Sequence, residues 1–276
     1  MKRNVRFAGT WYPKDCKRLE EIVSFKTEEE GSLFFGSVPH AGLFYSASLI
    51  KLFFSQLSSA VTRVVLITPS HYYALPPDRI GGGDVSSFAS ILGDIEGFSL
   101  PFVDSGYEEV TCAEHAVEMF LPFLSFRGNT KLCCLHVNTF SRPQLATQYA
   151  QQFLSLMDGH TAFVASSDFT HYGNSFGYTP YGTELTPSVV QRVTSYDRAM
   201  AQRFASGDGV ASYEKATKED RSTICGIAPL LVVSEMARLS SMEGEILGSA
   251  NSLSPSQNEH NFVSYITLGW RKKDHD

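Results

Sequence analysis

One hexapeptide limits the fold of this chain more than any other stretch. Arg63-Val-Val-Leu-Ile-Thr68 is a continuous, β-branched apolar run. A strand with one wet face alternates apolar and polar residues, whereas an unbroken run suits a strand buried on both faces. Such a strand belongs in the middle of a sheet covered by helices. The rest of the chain reads as the elements needed to cover it.

Helical spacing predicts a helix over Lys14 to Glu29 and another over Leu43 to Leu57, with Tyr45, Leu49, Leu52 and Phe53 on one face. Between them, Leu33 to Val38 reads as a strand. Pro76 to Leu100, with Gly81-Gly82-Gly83 and scattered Asp, predicts loops and antiparallel strands. Thr111 to Glu114 fits the T-x-x-E capping box ahead of the apolar run AVEMFLPFL, in which Pro122 is expected to kink or end the helix. Strands follow at Lys131 to Val137, Thr161 to Ser166 and Phe262 to Leu268. Cys133 and Cys134, as neighbours in a strand, should point to opposite faces. Helices are predicted at Arg142 to Met157, Pro187 to Ala205, Gly209 to Ala216 and Pro229 to Leu239, and Asn174 to Thr186 reads as a loop. Strands alternate with helices throughout, and no repeat or linker interrupts them. The expectation is one α/β domain over residues 1–276, with a central mostly parallel or mixed sheet flanked by helices.

Composition narrows the partners. Against 29 acidic residues stand 23 basic ones, a net charge of −6, and no basic stripe points to nucleic acid. The acidic run Glu28 to Glu30 reads as a solvated helix end. No stretch approaches the ~18 apolar residues of a membrane span. The basic N-terminus MKRNVRFAGTWYPKD lacks the apolar core of a signal peptide. The five cysteines are odd in number and form no CxxC pair, which fits reduced thiols in a cytoplasmic chain. The motifs GxxxxGK[ST], GxGxxG after a strand, HExxH and GxSxG are absent, which argues against nucleotide binding, zincin chemistry and a serine-hydrolase elbow.

Chemistry gathers where an α/β sheet presents its loops, outside the carboxyl ends of its strands. His40 follows Pro39 after one strand, and His71 follows Pro69-Ser70 after the strongest one. Adjacent strands lie ~4.8 Å apart, so imidazoles on neighbouring ends can reach one metal ion. Cys225 precedes a helix start, where the helix dipole favours a thiolate. Asp168 and His171, three residues apart, could exchange or orient a proton near a substrate, or Asp168 could simply bond backbone amides in a turn. His115 and Glu118 share a helix face and could support a metal site or form a surface ion pair, with Glu114 committed to the capping box.

The segments AGTWYP, PHAG, TPSH, EHAVEMFLPFL, SSDFTHYG and TICGIAP run in order from residue 8 to about residue 229, and FVSYITLG extends the set. This ordered set resembles the Memo family, the AmmeMemoRadiSam system protein B group. That family is similar in fold to the catalytic subunit of class III extradiol dioxygenases, which are non-haem iron enzymes. The resemblance implies a metal held by His40, His71 and Cys225, with Asp168, His171 and His115 lining the same pocket. Fe(II) is the first expectation for the metal, with Cu or Zn as alternatives. A thiolate replaces the carboxylate of the dioxygenase triad and shifts preference toward softer or more covalent metal sites. Tyr72 stands where some relatives carry a second histidine.

Three functions follow as expectations. The first is a dioxygenase-like oxidoreductase acting on a small molecule, with His171 and Asp168 moving protons and His115 positioning substrate. The second is a module that binds a peptide or an anion in the same cleft. The third is a zinc hydrolase.

Overall fold

A computed structural model describes residues 1–28, 31–253 and 260–272. Of the acidic run, Glu29 and Glu30 lie outside the described residues. The chain opens with β1 (Lys2–Arg3), α1 (Cys16–Val23), β2 (Phe35–Val38), α2 (Leu43–Gln56), β3 (Arg63–Thr68), β4 (Gly81–Gly82), β5 (Ser87–Phe88) and β6 (Ile95–Glu96). It continues through α3 (Glu108–Ala113), α4 (His115–Arg127), β7 (Lys131–His136), α5 (Gln144–Leu154), β8 (Thr161–Ser166) and β9 (His171–Gly173). It ends with α6 (Pro187–Ala205), α7 (Gly209–Glu214), α8 (Ile227–Leu239), β10 (Met242–Asn251) and β11 (Asn261–Lys272).

The main sheet runs β10-β11-β2-β8-β3-β7-β4, with β9 paired to β11. Its centre is parallel, β2 to β8 to β3 to β7. The flanking pairs β10–β11, β11–β2 and β4–β7 are antiparallel. The sheet is therefore mixed around a parallel middle, as expected. The strands β1, β5 and β6 form a separate small sheet.

The continuous run in β3 explains the layering. Val65 and Ile67 join one core with residues of α5, α6 and α8, while Val64 and Leu66 join another with residues of α1, α2 and α4. Each such side chain contributes ~1.5–3 kcal/mol by leaving water. Cys133 belongs to the first core and Cys134 to the second, so the neighbours do face opposite sides. Among the described residues, no helix is long and apolar enough to cross a membrane.

Several local expectations are corrected. The first helix stops at Val23, because Ser24 turns extended and Phe25 leaves the helix to pack on Phe54 and Phe126. The buried face of α2 is Leu43, Ala47, Ile50, Phe53 and Phe54, with Leu49 also buried, while Leu52 is 37% exposed. The capping box does not form. Thr111 lies inside α3 and bonds His136 Nε2 at 2.8 Å, and Glu114 is itself the residue that caps α4, accepting from Ala116 N. Pro122 does not end α4, which continues to Arg127 with Pro122 buried. Finally, β2 and β3 are not neighbours, because β8 runs between them.

Candidate metal centre

Four parallel strands bring their carboxyl ends to one edge of the molecule. Pro39-His40 follows β2, Pro69-Ser70-His71 follows β3, and Ser167-Asp168 follows β8. His115 opens α4, and Cys225 sits two residues before α8. Gly226 makes this last approach workable. A Cβ there would come within 2.1 Å of the Ser166 carbonyl oxygen, so only glycine lets the start of α8 lie against the end of β8.

His40 is almost wholly buried, and its main-chain N and both ring nitrogens have partners. Its main-chain N donates to Asp168 Oδ1 at 2.8 Å, its Nδ1 lies 2.8 Å from Ser166 Oγ, and its Nε2 lies 3.2 Å from Cys225 Sγ. His71 is more open. Its ring centroid is 5.0 Å from that of His40, although two strand spacings separate the ends that carry them. The ligand atoms of His40, His71 and Cys225 all lie within 4.8 Å of one another. Two imidazoles and a thiol at this spacing fit a single borderline or soft ion such as Fe(II), Cu or Zn. The Cys225 thiol carries a proton that such an ion would displace.

His115 stands beside this set, its ring centroid 4.4 Å from His71 and 4.4 Å from Trp11. Its Nδ1 is 3.2 Å from Tyr72 Oη and 3.1 Å from Glu114 Oε1. His71, Glu114 and His115 form a second close group. Asp168 and His171 are fixed by different partners rather than by each other. Asp168 spends Oδ1 on the His40 amide. His171 directs Nδ1 at two carbonyl oxygens, Phe169 and Thr223, both at 3.0 Å. Carbonyl oxygens only accept, so Nδ1 carries the hydrogen and Nε2 keeps the lone pair when the ring is neutral.

Burial decides the charges. Desolvation, reinforced by His71, His115 and His171, holds His40 well below the ordinary histidine value. Desolvation likewise lowers His115 to about 4, against the opposing pull of Glu114. Both rings are neutral near pH 7 and can offer a lone pair. Burial pushes the Cys225 thiol well up, and Asp168 adds to this. The helix-end argument for a thiolate therefore loses to desolvation in the metal-free protein. Burial also raises Asp168, with His171 opposing it. For Glu114 burial acts upward too, but the His71 hydrogen bond and the charges of His71 and His115 outweigh it, leaving the carboxyl at about 2.

Glu118 is neither a support of His115 nor a surface pair. Fully buried, it takes Arg3 Nη1 and Tyr12 Oη, both at 2.7 Å, together with the main-chain N–H groups of Arg6 and Phe7. It thereby pins the N-terminal segment whose Phe7 and Trp11 rings face His115. The residues that sequence reasoning missed at the site are Glu114 and Ser166. The Glu114-His115 dipeptide was visible, but its apparent capping role hid the carboxylate's reach to His71.

Comparison with known proteins gives a consistent picture. A family model described as Memo-like protein matches residues 3–269. A MEMO1 family protein of Schizosaccharomyces pombe is 28% identical, covering 84% of this chain and 86% of its own length. A memo-1 homolog of Caenorhabditis elegans is 29% identical, covering 85% of this chain and 71% of its own. A MEMO1 family protein of Thermococcus onnurineus is 25% identical over 99% of this chain and the whole of its own.

Proposed function

The chain belongs to the Memo-like family, and on that footing we propose that it is a metal-dependent, dioxygenase-like oxidoreductase acting on a small molecule. His40, His71 and Cys225 hold a single Fe(II) or Cu ion. The observation that carries this reading is the convergence of their three donor atoms within 4.8 Å of one another. When bound, the ion supplies one-electron chemistry toward O₂ or a substrate.

The remaining work belongs to the protein. His171, with its lone pair fixed on Nε2, takes a proton from a substrate hydroxyl. Asp168 grips the His40 amide and so holds the first ligand's loop against β8. His115, neutral and flanked by Trp11 and Tyr72, orients substrate and keeps water out.

The test is elemental analysis of anaerobically purified protein alongside Cys225→Ser. Near-stoichiometric iron or copper in the wild type, lost in the variant, is the expected result. Wild-type protein with no more metal than the variant sinks the proposal, and full zinc occupancy without iron or copper favours hydrolysis instead. A second reading, a peptide-binding module, draws on two exposed rings, Tyr72 against His115 and Phe176 against His171. A pure binding module keeps its partner affinity in Cys225→Ser.

A further inference from the structure

The Glu114 carboxylate is fully buried and meets three N–H groups and a further ring nitrogen. Oε2 accepts from the His71 main-chain N at 2.7 Å. Oε1 accepts from His71 Nδ1 at 2.9 Å and from Ala116 N at 3.0 Å, and it lies 3.1 Å from His115 Nδ1. An ionised carboxylate can only accept, so the hydrogen on the His71 ring contact belongs to Nδ1. A neutral imidazole has one N–H, so in that form Nε2 of His71 is the bare lone pair.

Capping α4 does not explain this choice of residue. A helix cap needs one acceptor oxygen, and Ser, Thr, Asp or Asn supplies it best. Glu carries one methylene more than Asp, and that length is what spans from the start of α4 to residue 71. The carboxylate is itself held firmly. It lies at the positive end of a 13-residue helix, and the main chain of Glu114 is tied through its N to Val110 and through its O to Arg3.

We infer that Glu114 is the positioning residue of the metal centre: by gripping both the main chain and the ring of His71, it fixes the Nδ1–H tautomer and leaves Nε2 as the one atom His71 offers to an ion. This rests on the metal reading above. Carboxylate partners of this kind orient a ligating imidazole and raise its basicity, and their loss typically weakens metal affinity about 10–100-fold.

The test has two arms. Long-range ¹H–¹⁵N spectra of the metal-free protein, with His71→Ala to assign the signals, read the tautomer directly. Zinc affinity, measured by competition with a chromophoric chelator, reads the consequence. The variant is Glu114→Asp, which keeps a capping carboxylate but draws it back from the His71 ring. Wild-type His71 is expected as Nδ1–H. In Glu114→Asp the Nε2–H form appears and zinc binding weakens about 10–100-fold, with the helical circular dichroism retained. Wild-type His71 protonated on Nε2 overturns the inference without any variant having to fold, and so does a Glu114→Asp protein that binds zinc as tightly as wild type. If wild-type protein binds no zinc, the metal reading stands or falls on its iron and copper content, and the tautomer alone decides the role of Glu114.

Discussion

At their amino ends, β3, β7 and β8 open onto a cavity of about 820 Å³ lined by Arg63, Asp94, Glu96, Lys131, Asp158 and His160. At their carboxyl ends they meet the histidines and Cys225, with the donor atoms of His40, His71 and Cys225 within 4.8 Å of one another. The two ends use similar residue types to opposite effect. In the roomy cavity each charge faces water and has a flexible partner, Arg63 with Asp158 and Lys131 with Glu96, on side chains roughly half exposed. At the other end His40, Glu114, His115 and Asp168 are buried, and several of their polar atoms are fixed by two or more groups. Free volume therefore does not mark the chemistry here. What marks it is a cluster of nitrogen and sulfur donors in which burial keeps His40, His115 and the Cys225 thiol uncharged.

The contrast can be tested by stability, beginning with the largest effect. Glu118→Gln removes the charge opposite fully buried Arg3 at the site end. It is expected to cost about 3–5 kcal/mol in urea denaturation, because Arg3 is left buried and uncompensated. A loss below about 1 kcal/mol would make this pair no different from those at the other end.

Next comes Asp197, buried on α6 beneath the loop of Asp168 and His171. It accepts from the hydroxyl of Thr170 at 2.6 Å, and burial pushes its carboxyl up to about 6. A carboxyl with a raised native pKa favours folding fully below its unfolded value near 3.9, and that contribution is lost as pH rises through about 6. Asp197→Asn should therefore gain about 1–3 kcal/mol on wild type between pH 4 and pH 8. A stability difference that stays flat with pH would show that the buried charge carries no such cost. The smallest effect is expected from Lys131→Ala at the amino end, under about 1 kcal/mol and with metal content unchanged. A larger loss would mean that this exposed rim is more organised than its ion pairs suggest.

Legibility from sequence followed the same divide between local and distant causes. The strand β3 was readable because six consecutive residues state its burial. The long edge strand β10 was not, since Met242 to Asn251 alternates glutamate, glycine and small residues and carries a bulge between Ile246 and Gly248. Proline-bound His40 and His71 stood out at strand ends, and the ordered motifs added Cys225. Glu114 and Ser166 stayed hidden because their roles depend on segments 43 and 126 residues away in the chain. The expectation that His40 and His71 lie on adjacent strand ends failed for a related reason. Periodicity finds strands but says nothing of the order in which they pair.

That order also sets a schedule. His40 and His71 are made early, yet β8, which starts only at Thr161, must slide between the strands that carry them. Cys225 follows later still. A ribosome-bound chain can present two imidazoles long before it can present the sulfur. Any ion captured early would meet an incomplete ligand set with no β8 between its supporting strands. On the proposed metal reading, loading of the ion is thus matched to the folded chain rather than to the nascent one.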